Sequence, residues 1–305
     1  MKLSITKTFK IMVMTSLTLF QFGCNSGSSS PTGSLTINVT DAPIDTAEKV
    51  IIEFSGIEIK PQNGTSISFD FTEKCTSDPD LCQIDLLALN NGLSQQLLDS
   101  EIVSSGQYNW LRLMVNAEAN VKDSYIVIAG KEYELHIPSG AQSGLKLNQG
   151  FVVPAGGEAN FTIDFDLRKS VHDPVGMSGY ILRPSLRMMN NVETGTLSGS
   201  IDASFYSSGS CNGAVYVFDG SVDTPDDEDG EGYGPDPITS ALVNDDGVYN
   251  YKVSFLTEGN YLIAFTCDAL ADNPDLDDDT ATVSFLSTAT VTINANNNTV
   301  YNFEP

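Results

Sequence analysis

Leu35-Thr36-Ile37-Asn38-Val39 alternates apolar and polar residues without a break. Successive side chains of a β-strand point to opposite faces, so this run sets three aliphatic groups on one face and two polar groups on the other. It predicts a half-buried strand. The same period recurs outward from it. Residues 50–60 predict a longer strand with Gly56 as a bulge. Residues 110–115, 125–128 and 161–167 predict three more. Residues 84–89 fit a strand or a short helical turn, and 93–98 form the best short-helix candidate. Further on, 195–205, 214–218, 248–255, 260–267, 282–285, 289–293 and 299–303 predict seven short strands. That number suits an immunoglobulin-like or prealbumin-like sandwich. The expected fold is all-β: two β-sandwich domains in tandem, over residues 34–191 and 195–305, after a cleaved lipoprotein signal peptide.

The charge distribution agrees with a boundary near residue 195. The chain carries forty acids and fifteen bases, a net charge of −25. From Gly195 onward there are nineteen acids against a single base, Lys252. A chain this acidic is a poor partner for nucleic acid, whose phosphates are neutralised by Lys and Arg. Acidity also serves solubility.

The first 23 residues read as a signal peptide. Lys2, Lys7 and Lys10 precede a short apolar run, 11–22, that is too brief to span a bilayer. Gly23-Cys24 resembles the end of a lipobox, which implies a lipid on the Cys24 sulfur and attachment to a membrane. Gln21 and Phe22 depart from that pattern, which favours Leu and a small residue at these places. Plain secretion, with Cys24 as an incidental thiol, is the alternative. Residues 24–33 hold the lipidated Cys and a flexible Ser/Gly/Pro tether. Asn25 after the Cys resembles the Gram-negative signal for outer-membrane sorting.

Four more cysteines suit an oxidising compartment. They allow three pairings, of which Cys75–Cys82 and Cys211–Cys267 need the fewest assumptions. Zinc fits poorly, because there is no Cys-x-x-Cys and only two His.

Several segments occur in order with sensible gaps. They are Gly33-Ser-Leu-Thr-Ile-Asn-Val-Thr-Asp-Ala-Pro-Ile-Asp45, Val50-Ile-Ile-Glu-Phe-Ser-Gly-Ile-Glu-Ile59, Ile84-Asp-Leu-Leu-Ala-Leu89 and Gly106-Gln-Tyr-Asn-Trp-Leu-Arg-Leu113. Ile137-Pro-Ser-Gly-Ala-Gln-Ser-Gly-Leu-Lys-Leu147, Ile163-Asp-Phe-Asp-Leu-Arg-Lys-Ser-Val171 and Tyr180-Ile-Leu-Arg-Pro184 follow. Together, from about residue 33 to 187, they resemble the bacterial lipoprotein family called domain of unknown function 4382. The resemblance implies a secreted β-rich domain and no activity. Gly247-Val-Tyr-Asn-Tyr251, then Leu256, Gly259 and Tyr261, resemble the rhythm of a carboxypeptidase-regulatory or prealbumin-like module. Modules of that kind serve as stalks, folding aids or carbohydrate binders.

Candidate chemistry is sparse. Two Asp-rich loops could supply oxygen ligands to calcium, which takes six to eight. Asp226, Asp227, Asp229, Asp277 and Asp279 are the expected ligands, and a solvated acidic face is the alternative. Asp164 and Asp166 share one side of a predicted strand. Paired carboxylates serve glycosidases, but side-by-side neighbours do not flank a scissile bond, and pairing with Arg168, Lys169 or Arg183 suits them better. The loop 138–146 offers Ser139, Ser143 and Lys146 as ligand contacts, or is simply a tight turn. His136, in a predicted strand, and His172, in a polar turn, read as structural or solvated. Trp110 with Tyr108, Tyr125 and Tyr180 could form a sugar platform or belong to the core. The expectation is a lipid-anchored cell-envelope protein of the outer membrane. It would be a non-catalytic binding or scaffold module for a glycan or an envelope protein. The alternative is a glycan-directed secreted hydrolase using Asp164, Asp166 or His172.

Overall fold

The computed structural model describes residues 30–42, 47–77, 82–90, 92–116, 121–138, 140–174, 176, 179–207, 209, 211–228, 234–244, 247–272 and 283–305. The expected signal peptide, Cys24 and most of the tether lie outside these residues. The strands of the first part are β1 (Thr32–Ala42), β2 (Lys49–Pro61), β3 (Ile67–Asp70), β4 (Gln83–Asp85), β5 (Gln95–Ser104), β6 (Gly106–Asn116) and β7 (Tyr125–Ile128). They continue with β8 (Lys131–His136), β9 (Leu145–Leu147), β10 (Phe151–Val153), β11 (Glu158–Asp166), β12 (Val171–His172), β13 (Tyr180–Leu182) and β14 (Ser185–Asn190). The second part holds β15 (Thr194–Ser200), β16 (Ala214–Asp219), β17 (Thr239–Leu242), β18 (Asn250–Thr257), β19 (Gly259–Thr266), β20 (Phe285–Ile293) and β21 (Asn298–Val300). Among the described residues, three short α-helices interrupt them: α1 (Thr72–Ser77), α2 (Gly140–Ser143) and α3 (Leu167–Ser170).

The alternation around Leu35 sets the first core. β1 runs parallel to β11, with Ile37 opposite Phe161 and Val39 opposite Ile163. The sheet order is β14-β11-β1-β5. Leu35, Ile37, Val39, Ile163 and Phe165 are fully buried. They face a ten-stranded sheet centred on β2 and β6, whose Phe54, Ile57, Ile59, Leu111 and Leu113 are equally buried. Phe54 meets Phe165 edge to face at 6.0 Å. Each aliphatic or aromatic side chain buried this way contributes about 1.5–3 kcal/mol. Gly56 is a bulge as expected. The β2–β6 register slips between Phe54 and Gly56, and a Cβ on Gly56 would stand 2.5 Å from the Phe69 carbonyl oxygen.

In the second part β18-β15-β21 and β17-β16-β19-β20 enclose a separate core around Val217, Ile263, Phe265 and Phe303. Among the described residues, no strand of the first part pairs with one of the second. Residues 31–305 nevertheless cluster as one compact unit. Both expected disulfides are present, Cys75–Cys82 and Cys211–Cys267.

Several elements differ from the pattern expected of the sequence. The helix expected at 93–98 is instead the start of β5, antiparallel to β1. The hydrogen-bonding edge of β1 outweighs the weak helical pattern there. Residues 84–89 divide into β4 and a 3-10 turn, Leu86–Leu89. Leu167 leaves its predicted strand for α3, capped by the Asp166 carboxylate. The strand expected over 195–205 stops at Ser200, and Asp202 caps a 3-10 turn, Ala203–Tyr206. The two strands expected at 282–285 and 289–293 are the single strand β20. β17 escapes the alternation rule because it is buried along most of its length. His172 lies on β12 rather than in a turn, paired with Ile181.

Candidate functional site

The outer face of the large sheet joins two separate sequence signals. Lys146 is exposed on β9, opposite Arg112 of β6. Its ammonium sits 4.8 Å from the Trp110 ring centroid, with the Arg112 guanidinium at 5.0 Å. Arg112 also pairs with Glu58 at 3.3 Å. Cations over an indole are attracted by its negative face. Ser143 ends α2 and is exposed, and Ser139 lies outside the described residues. Gly144 adopts φ 59°, and a Cβ there would stand 2.5 Å from the Leu113 carbonyl oxygen, so the loop is pinned as a tight turn on β6. Tyr108 is no platform residue. It is 1% exposed and stacks on Phe151 at 4.9 Å. Tyr180 packs edge-on against Tyr133.

The opposite, polar face of the small sheet is not in solvent. Asp164 and Asp166 do point away from the first core, but β17 and β18 of the second part cover that face. Asp164 is 4% exposed and accepts a 2.7 Å hydrogen bond from Arg187 Nε. The partner is thus Arg187, not Arg183. Asp166 accepts from the Lys169 amide at 3.2 Å. The next two residues reach across the seam. Arg168, also 4% exposed, donates to Asp272 at 2.9 Å and to the Tyr216 hydroxyl. Lys169 donates to the Pro237 carbonyl at 3.1 Å and lies within 4 Å of Asp166, Glu228 and Asp236. Sequence reasoning did not anticipate this cross-seam cluster. The signal available was a buried-looking strand running straight into Arg-Lys.

Several acids at the seam resist ionisation. Burial pushes the Asp41 carboxyl well above the usual range, and Asp164 and Asp166 push it further. Among the described residues, neither Asp41 oxygen meets a hydrogen-bond donor at bonding geometry. Burial and then Asp166 likewise raise Glu228, which is 2% exposed. Asp226 and Asp227 are half-buried, while Asp229, Asp277 and Asp279 lie outside the described residues. Among the described residues no group of three acidic, His or Cys side chains converges as a metal site.

A groove opens along the seam. Its inner end, about 50 Å³, is lined by Thr40, Asp41, Asp164, Arg187, Ser240 and Lys252, among others. It shares Gly92, Lys252, Ser254 and Phe255 with an outer cavity of about 380 Å³ that extends to Thr194–Thr196 and Asn296–Asn298.

Residues 32–184 match the family model described as domain of unknown function (DUF4382). No curated protein matches the chain in sequence. Among solved structures, the Bacillus anthracis TIE protein is 11% identical, over 90% of this chain and 33% of its own, with a TM-score of 0.20. The chain thus spans about a third of that protein's length. The minor pilin GBS52 of Streptococcus agalactiae is 10% identical over 88% of this chain and 94% of its own, at TM-score 0.20. The major pilin BcpA of Bacillus cereus is 9% identical over 89% and 98%, at 0.22. Scores this low transfer no property from those proteins to this one.

Proposed function

We propose, since this chain belongs to the family described as domain of unknown function (DUF4382), that it is a non-catalytic binding or scaffold module of the cell envelope. A lipid on Cys24 holds it to the outer membrane, and residues 34–191 and 195–305 act as two tandem modules. The observation that carries the non-catalytic reading is the fate of the carboxylates. Asp164 is tied to Arg187, and Asp166 caps α3 under the second part. Acid–base work on a glycosidic bond needs two carboxyl groups on either side of an open cleft. His172 lies on β12 of the large sheet, whereas both carboxylates lie on β11 of the small one. These placements favour binding over the hydrolase alternative.

Calcium in the Asp-rich loops is part of the same proposal. It is supported by the density of acids in the two loops, residues 223–236 and 272–279; Glu228 and Asp272 themselves face Lys169 and Arg168 instead. Thermal unfolding in millimolar calcium and then in EDTA tests it. A ligand at a hundred times its Kd stabilises by about 2.7 kcal/mol, so a rise of several degrees is expected, and equal midpoints remove the metal.

The anchor is tested by expression in a Gram-negative host fed an alkynyl palmitate. The wild type is expected to take up the label and sediment with outer membranes. Cys24→Ser is expected to do neither. An unlabelled wild type sinks the anchor.

A further inference from the structure

We infer that the seam groove binds an acidic saccharide, with one carboxylate of the ligand held between Lys252 and Arg187. This rests on the reading of the protein as a binding module, and it names the ligand class.

Lys252 is the starting point. It is the single base among nineteen acids after residue 194. It stands exposed on β18 and, among the described residues, forms no ion pair. A lone cation in so acidic a segment would be expected to find a carboxylate partner. It lines the groove instead, at the point where the inner and outer cavities meet.

Arg187 reaches the same groove from β14, on the other side of the seam. Its Nε is committed to Asp164, which fixes the side chain. Its two terminal nitrogens make no hydrogen bond among the described residues, and the side chain keeps 28% exposure. A guanidinium held by one edge presents its other nitrogens as a preformed carboxylate contact. Two acids also line the groove. Asp164 is neutralised by Arg187, and Asp41 is buried where the uncharged form is favoured. The groove therefore keeps one uncompensated cation, Lys252, beside the free edge of Arg187, within a chain of net charge −25.

The rest of the lining suits hydroxyl groups. Ser254 has a buried hydroxyl with no hydrogen-bond partner among the described residues. Thr194, Thr196 and Asn296–Asn298 line the outer cavity. Phe255 lies between the two cavities at φ 58°, a left-handed conformation that costs energy for an aromatic residue and that clusters at functional sites. An aromatic among hydroxyl and amide groups matches the two sides of a sugar ring. The outer cavity, about 380 Å³, is of ligand-site size. The surrounding negative charge repels long polyanions, so a short oligosaccharide or a chain end is the fitting ligand.

The test is calorimetric titration of the protein with digalacturonate, with dimannuronate, with the neutral methyl ester of digalacturonate, with acetate and with the tripeptide Gly-Ser-Ala. At least one acidic disaccharide is expected to bind saturably, and the ester, acetate and tripeptide at least tenfold more weakly. Lys252→Gln is expected to weaken the disaccharide at least tenfold. Lys131→Gln, at an exposed position of β8 that lines neither cavity, is expected to leave it unchanged. The inference is overturned if neither acidic disaccharide binds, if the ester binds equally, or if Lys252→Gln changes nothing. Acetate binding as tightly would reduce the groove to a bare anion site. Preference for the tripeptide would replace the saccharide with a peptide carboxylate. Palmitate labelling of Cys24 is independent of all these outcomes, so failure here leaves the envelope-module reading standing, and failure of labelling leaves the groove's result intact.

Discussion

Arg168 is a charged side chain almost wholly withdrawn from water, and its partners Asp272 and Tyr216 come from the other part of the chain. Removing one member of a buried ion pair leaves the other uncompensated, which costs about 3–5 kcal/mol. Arg168→Met is expected to lose about that much in urea unfolding. The double variant Arg168→Met/Asp272→Asn should recover a good part of it. If the double variant is no more stable than the single, the cluster is not a coupled pair. Asp41 gives the opposite sign. Its folded carboxyl titrates above the unfolded one because burial penalises its charge. The native state therefore keeps a proton that the unfolded chain has released, and Glu228 does the same. Their contribution is intact below the unfolded carboxylate pKa, about 4, and declines as pH rises through the folded one. Asp41→Asn removes that decline at one site. It should melt above the wild type at pH 8, with the gap narrowing toward pH 4. A gap independent of pH would refute the assignment. None of this was legible in the residues alone, because Asp41 and Arg168 look like ordinary surface charges in their local windows.

At the level of elements, the alternation rule found what lies between core and solvent. β6 has one buried and one wetter face, and the period of two is visible in it; in β1 the period survives in residue type although both faces are buried. The rule failed in β17, which is buried along most of its length, and where a strand takes its identity from its neighbour, as in β5 beside β1. Hydrogen bonding to an existing strand edge is not written in the pattern of the strand that docks. Gly56 was readable because a glycine inside a strand signals a bulge or a close approach. It is both, with the Phe69 carbonyl oxygen occupying the space of a side chain. Gly56→Ala forces β2 and β3 apart at that point. Overpacking of this kind costs about 1–3 kcal/mol, to be read as a lower urea midpoint at unchanged slope. An unchanged midpoint would mean that β3 yields freely.

Across the whole molecule, the two disulfides staple different lengths of chain. Cys75 and Cys82 are 7 residues apart, Cys211 and Cys267 56 apart. In the chain-entropy account, the shorter closure stabilises by roughly 2.5 kcal/mol and the longer by roughly 4 kcal/mol. The double variant Cys211→Ala/Cys267→Ala should therefore lower the thermal midpoint more than Cys75→Ala/Cys82→Ala. The reverse order would point to native strain or residual unfolded-state structure at the long loop. Sequence by itself determined the all-β class and the family, and favoured the two disulfide pairings that the structure holds. Each of these rests on local signals: a period of two, cysteine spacing and ordered motifs. Tertiary structure alone decided that the polar face of the β1–β11 sheet is covered, that Arg168 and Lys169 cross to the acidic part, and that Lys252 and Arg187 line one groove. The reason is physical. Which face of a sheet meets water depends on a second sheet placed tens of residues away, and the fate of a charge depends on whether that sheet brings it a partner or a proton.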